Sequence, residues 1–222
     1  MSQEGGKAAY PESLLDAPAV EASPKAALDE LMDRYARGDD AALDELYRVG
    51  APRVRAFLTR LCADLALAED LTQDAFMRVG RARGTFVTGA AAFPWIMAIA
   101  RNAFRDHVRR ERVRRTNSES PERLENPTTQ TFSQDGGDRA LIARELLGEV
   151  EQALMGLPVR QREAFILIRF EGLSVSEAAQ VLGATQAAVK ILVHRAYTAV
   201  RASIATENPE RSFGRRPLSR AP

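Results

Sequence analysis

Few side chains in this sequence are placed for covalent chemistry. The only histidines, His107 and His194, lie on separate segments, and the single cysteine, Cys62, has no partner at metal-ligand spacing. No glycine-rich loop suited to cradling a phosphate occurs. The adjacent carboxylates Glu69-Asp70 and Asp39-Asp40 fall where helix surface and helix caps are expected. The residues therefore argue against an enzyme, and no cofactor or metal site is expected. What remains is recognition chemistry, concentrated between Glu171 and Arg201. There, Lys190, His194, Arg195 and Arg201 recur on one side of a segment whose other side is apolar.

Two helices and a tight turn would position those groups. Ser174 with Glu177 forms a capping-box pattern. Ala178, Ala179 and Leu182 make the inner face of the first helix, and Gly183 supplies the reversal that a Cβ would penalise. The second helix begins near Thr185 or Gln186, with Val189, Val193, Ala196 and Val200 as its buried stripe. A small-residue helix, a glycine turn and a helix with a basic outer face make a helix-turn-helix that fits the major groove. At this point a plain helical hairpin remains the other reading.

The rest of the 222-residue chain reads as helical too. Hydrophobic residues make up 45% and aromatics only 6%. Lys and Arg total 31 against 30 Asp and Glu, so the net charge identifies no partner. Residues 1–25 read as a disordered extension without the pattern of a signal peptide. Leu28, Leu31, Met32 and Tyr35 share one helical face, and Gly38-Asp39-Asp40 breaks that helix with an Asp placed to cap the next. Leu43, Leu46 and Tyr47 continue the spacing, and Pro52 suits the first turn of a new helix carrying Val54, Phe57, Leu58 and Leu61. Leu71, Ala75, Phe76 and Val79 form the inner face of a further helix, residues 80–92 a loop, and the run from Phe93 an apolar helix that ends in arginines up to Arg115. Residues 116–137 are polar and aperiodic, hence a flexible linker, and helices resume over 138–205 before a basic, disordered tail at 206–222. A linker of about 20 residues spans roughly 70 Å when extended. That is enough for duplex sites one to two turns, roughly 35–70 Å, apart. No apolar run is long enough to cross a bilayer, and the lone cysteine fits a reducing compartment, so a cytoplasmic location is expected.

Two blocks carry a family resemblance. The run LPVRQREAFILIRFEGLSVSEAAQVLGATQAAVKILVHRA closely resembles the −35 reading domain of bacterial sigma factors. AEDLTQDAFMRV, followed by FPWIMAIARNAFRDHVRRERVRR, resembles their −10 reading domain. With no intermediate domain, the chain resembles the extracytoplasmic-function group of the sigma-70 family. The resemblance implies an all-α protein: a region 2 helical bundle over 26–115, and a region 4 helix-turn-helix over 138–205. It implies a transcription initiation factor that binds core RNA polymerase, recognises and melts the −10 element, reads the −35 element and is held in check by an anti-sigma factor.

The same resemblance distributes roles. Asp70, Gln73, Asp74 and Arg78 would face the polymerase. Phe86, Phe93 and Trp95 would stack bases of the melted −10 strand, worth about 1–3 kcal/mol per base, although Trp95 also suits the core. Asn102 would offer a donor and an acceptor to a base edge, and Arg101, Arg105, Arg109, Arg110 and Arg112 would meet phosphates. Thr185, Gln186, Lys190, His194 and Arg195 would contact the −35 groove or its backbone. Arg160 and Arg162 suit either phosphates or the polymerase. Where many relatives carry Ser-Arg, this chain has Ile191-Leu192, and Ala187-Ala188 replaces the more usual Gly-Thr. Neither Ile191 nor Leu192 can hydrogen-bond a base edge, though either can touch a thymine methyl. An unusual −35 preference, or one leaning on DNA shape, is expected. Two rivals stand beside this reading. One is a decoy that titrates an anti-sigma factor, and the other is a DNA-binding regulator that does not need polymerase.

Overall fold

Buried apolar stripes decide where the helices form. The computed structural model describes residues 23–117 and 138–207, and no strand occurs among them. Helices α1 (Ser23–Ala36), α2 (Ala42–Cys62), α3 (Leu65–Arg81) and α4 (Ala92–Asn117) form one group. Helices α5 (Asp138–Met155), α6 (Val159–Arg169), α7 (Val175–Leu182) and α8 (Gln186–Glu207) form the other. The expected extension, linker and tail lie outside the described residues except at their edges. There, α1 already begins at Ser23, with Pro24 in its first turn, where a missing N–H breaks no helical bond.

The first group buries the stripes expected of it, save that Leu43 is half-buried and Tyr47 exposed. Leu28, Met32, Leu46, Val54, Phe57, Leu58, Ala75 and Val79 have no exposed surface. Two expectations fail. Pro52 does not open a new helix but lies inside α2. Leu46, Gly50, Val54, Phe57, Leu58 and Leu61 make one buried stripe running past it. An interior proline costs about 3 kcal/mol. Burying each large apolar side chain returns roughly 1.5–3 kcal/mol, so the continuous helix wins. Nor does an Asp cap α2. Ala41 stands at the N-cap without a side-chain bond, while the Asp39 carboxylate takes Arg34 at 2.6 Å. Gly50 is needed for space, since a Cβ there would meet Phe76 Cζ at 3.1 Å. Ala63 ends α2 in a left-handed conformation, and the Asp64 carboxylate caps α3 by accepting from Leu67 N at 3.0 Å.

The second group follows its sequence closely. Both halves of the Ser174–Glu177 capping box form, at 2.7 and 3.2 Å. Gly183 has φ 57°, in the left-handed region that glycine enters without the Cβ penalty. Val189, Val193, Ala196 and Val200 are buried along α8. The two groups are in contact, α4 lying against α7 and α2 against α6.

Candidate nucleic-acid interface

The turn at Gly183 sets the direction of α8, and the buried valines set its roll. Thr185 Oγ1 accepts from Ala188 N at 3.2 Å, which holds the first turn. With Val189 and Val193 inward, Gln186, Ala187, Lys190, Ile191, His194 and Arg195 all reach the exposed side. Ile191 is 51% exposed among these polar groups. Leu192 turns back and packs on the core. Of the pair expected to matter for a thymine methyl, Ile191 is the more exposed and Leu192 is half-buried. A shallow groove there is lined by Arg160, Ala184, Thr185, Ala188, Ile191 and Leu192, so a cation and an apolar wall share one concave surface.

On α3 the four expected polymerase-facing residues divide. Asp70 and Gln73 are exposed, on the side opposite Leu71, Ala75 and Val79. Asp74 and Arg78 are half-buried and tied together at 2.9 Å, and Arg78 also reaches Asp106 of α4 at 2.7 Å. That guanidinium holds the Asp106 carboxyl below its ordinary range, and the two carboxylates raise Arg78 in turn. Arg78 therefore braces α3 on α4.

Along α4 the expected −10 residues also divide. Asn102, Arg105, Arg109, Arg110 and Arg112 are exposed, and Arg109 shares Asp106 at 3.2 Å. Phe86 and Phe93 are buried, and Phe86 meets half-buried Trp95 edge to face with ring centroids 5.3 Å apart. The Arg53 guanidinium lies 3.9 Å above the Phe93 ring. Phe86 and Phe93 are core contacts in this structure, and Trp95 alone of the three keeps part of its ring surface at the solvent. Arg101, expected on the basic face, is only 3% exposed and faces the other helical group. Its Nε is 3.0 Å from Glu163 Oε2 of α6, and its Nη1 donates to Val181 O of α7 at 3.1 Å. Spacing put Arg101 among the arginines of α4, but three residues N-terminal to Phe104 and one after Ala100 it shares their buried side.

Cations bridge the two groups elsewhere as well, through residues to which sequence reasoning gave no such part. Arg53 Nη2 donates to Glu171 O at 2.7 Å, and Lys25 Nζ to Gly172 O at 2.7 Å. Arg60 Nε donates to Glu151 Oε1 at 3.1 Å and stacks 4.4 Å over Phe170. In the other direction, Arg162 Nη1 donates to Leu61 O at 2.8 Å. Val181 and Leu61 lie in the last turns of α7 and α2, and Glu171 and Gly172 lie just past α6. These are helix C-termini, whose orphan carbonyls favour cations. Glu163, a wholly buried carboxylate next to Ala164 and one turn before Leu167, is the sequence signal for a buried cation partner.

Residues 46–114 match the model of Sigma-70 region 2, and residues 147–200 that of Sigma-70, region 4. The chain is 35% identical over 170 residues to the RNA polymerase sigma factor CarQ of Myxococcus xanthus, covering 77% of this chain and 93% of CarQ. It is 34% identical over 183 residues to the ECF RNA polymerase sigma factor SigC of Mycobacterium tuberculosis, covering 82% of this chain and 93% of SigC. Its fold is similar to that of the Bartonella quintana sigma factor RpoE, solved in complex with the anti-sigma factor NepR. The TM-score is 0.64 at 26% identity, over 74% of this chain and 97% of that one.

The chain belongs to the extracytoplasmic-function group of the sigma-70 family. It is a transcription initiation factor, which works with core RNA polymerase on promoter DNA and is not an enzyme. Among the described residues no helix is long and apolar enough to cross a membrane.

Proposed function

We propose that the chain assigns its two promoter contacts to α4 and α8 and its main polymerase contact to α3. The carrying observation is that a helix-turn-helix with an exposed reading face and an acidic, amide-bearing helix face occur in one chain. Asp70 and Gln73 present that face to the polymerase, while Asp74 and Arg78 keep it rigid against α4. Asn102 reads the −10 strand, and Arg105, Arg109, Arg110 and Arg112 hold its phosphates. On α8, Lys190 and Arg195 meet phosphates or base edges together with Thr185, Gln186 and His194. Ile191 gives apolar contact to a thymine methyl in place of a hydrogen-bonding side chain. Residues 26–115 and 138–205 are the working domains, and 116–137 the tether between them. The protein acts in the cytoplasm. An anti-sigma factor restrains it, as NepR is bound to the similar Bartonella quintana protein.

Run-off transcription tests this reading. Purified chain, core polymerase and fragmented genomic DNA are combined, and transcript starts are sequenced. Discrete starts sharing two upstream elements are expected, with output lost when Gln73 and Asp70 are both replaced by Ala. Starts that survive those replacements would move the polymerase contact off α3. Polymerase binding without any starts would favour a decoy for an anti-sigma factor, and specific DNA binding without polymerase an independent regulator.

A further inference from the structure

Between α3 and α4 the chain crosses residues 82–91, and little in that loop holds itself in place. A single 3₁₀ turn covers Arg83–Thr85, Thr85 N donates to Ala82 O at 2.8 Å, and Ala90 N donates to Val87 O at 3.0 Å. From 83 to 91 only Phe86 is buried. Ordering each residue costs backbone entropy that one buried ring offsets poorly. The missing restraint comes from α1. Asp33 Oδ1 accepts from Gly89 N at 2.8 Å, and Asp29 Oδ1 accepts from Ala92 N at 2.7 Å, across 56 and 63 residues of chain. One helical turn apart, the two carboxylates lie on one face of α1, and the wholly buried Leu28 and Met32 dock that helix. Asp29 fills an orphan N–H in the first turn of α4, where negative charge is favoured. Asp33 fixes Gly89, whose φ of 83° suits a residue without a Cβ. At the other end of the loop, Arg83 reaches Asp40 and stacks 4.8 Å over Tyr35 of α1.

The loop in turn sets one ring of the −10 side. Phe86 meets Trp95 edge to face, so the loop's position decides how much of the Trp95 ring is open to solvent. The next residue, Val87, is 72% exposed. We propose that Asp29 and Asp33 are positioning residues for −10 melting: through the loop they hold the open part of Trp95 ready for a base that leaves the stack. A receiving surface ordered in advance loses less freedom on binding, and capture has to offset the unstacking of the base. The role in melting rests on the −10 contact proposed above for α4, whereas the clamp of α1 on the loop does not.

Trp95 is the only tryptophan of the chain, so its emission reports the loop. In the free full-length protein, Asp29→Ala/Asp33→Ala should move that emission to longer wavelength as Phe86 leaves the ring, while circular dichroism keeps the helical content. Strand capture is read on the complex with core polymerase, by anisotropy of a labelled single strand carrying the −10 element of a start mapped by run-off transcription. The double variant should bind that strand about tenfold more weakly. It should still reach half-maximal assembly with core polymerase at an unchanged concentration, because α3 is untouched. A variant that had merely unfolded would lose both. Asp29→Asn/Asp33→Asn keeps a carbonyl acceptor in each place and should recover most of the strand binding. If the double Ala variant loses helix, Asp33→Ala alone leaves the α4 cap intact and should show the same split at about threefold. Unmoved Trp95 emission would overturn the clamp. Moved emission with unchanged strand binding would overturn its role in melting, as would binding that stays weak in the Asn variant although its emission is restored. No mapped start, or no strand binding by the unmodified complex, would overturn the melting role together with the function proposed above, and emission that still moves would leave the clamp standing.

Discussion

The two helices proposed to read DNA differ in what their cations do. On α8 the buried stripe is narrow and wholly apolar, so Lys190 and Arg195 fall on the exposed side. On α4 the buried stripe widens to include Arg101, and the neighbouring α2 adds Arg53 and Arg60, all turned toward the other group. Arginine type alone does not distinguish these settings. One arginine meets solvent, where phosphates compete with water. The other meets a carboxylate and a helix end in a dry contact, where its removal leaves an uncompensated charge.

The sharpest way to break the comparison is to truncate one arginine from each helix. Arg101→Ala leaves Glu163 buried without its cation and should destabilise the chain by about 3–5 kcal/mol, read as a drop in denaturant midpoint. Arg195→Ala should stay within about 0.5 kcal/mol of the unmodified stability, while weakening DNA binding and lowering its salt dependence by about one counterion. Equal stability losses would show that the two settings are alike after all.

That contrast also separates what local residue patterns carry from what distant contacts decide. The capping box, the Gly183 turn and the α8 stripe are local, and a few neighbouring residues suffice to specify each. The exposed positions of Asn102, Gln73 and Lys190 follow from the same helical spacing. Pro52 departs from its local pattern because the burial that carries α2 through it comes from partners such as Phe76 on another helix. Phe86, Phe93 and Arg101 look like recognition groups because aromatics and arginines serve DNA binding. Their burial depends on contacts with residues far away in the chain, which no local spacing reports. Glu163 is the legible exception, an ionisable residue in an apolar run that demands a distant partner.

A smaller effect sharpens the α8 side. If Ile191 reads a methyl group, replacing thymine by uracil at one −35 position removes about one buried CH₂-sized contact, near 0.8 kcal/mol, or about fourfold in affinity. Fluorescence anisotropy with duplexes substituted one position at a time should find that position. The Ile191→Ala variant should bind the thymine and uracil duplexes alike. Indifference of the unmodified protein to every substitution would leave −35 selection to DNA shape, and α8 would then act mainly through its cations.

The smallest effect concerns the covered side and has a definite sign. Glu171 is 4% exposed and faces Arg53 Nη2 at 3.5 Å and Arg60 Nη1 at 3.8 Å, with Lys25 close by and Glu151 sharing Arg60. Burial pushes the Glu171 carboxyl above its ordinary range, more strongly than these cations draw it down. The closed form, with α2 packed on α6, therefore binds more proton at Glu171 than an open form in which the groups part and the carboxyl returns to water. A state that binds more proton gains stability as pH falls, so closure should tighten on mild acidification and loosen as pH rises through the raised value. With spin labels at Asp44→Cys in α2 and Thr198→Cys in α8 of a Cys62→Ser background, the short-distance population should grow between neutral and mildly acidic pH, and Glu171→Gln should abolish that growth. A population that instead opens on acidification would mean that the arginines, not burial, dominate Glu171. The covered side would then be held by charge attraction as the exposed side is, and the contrast between the helices would narrow to geometry alone.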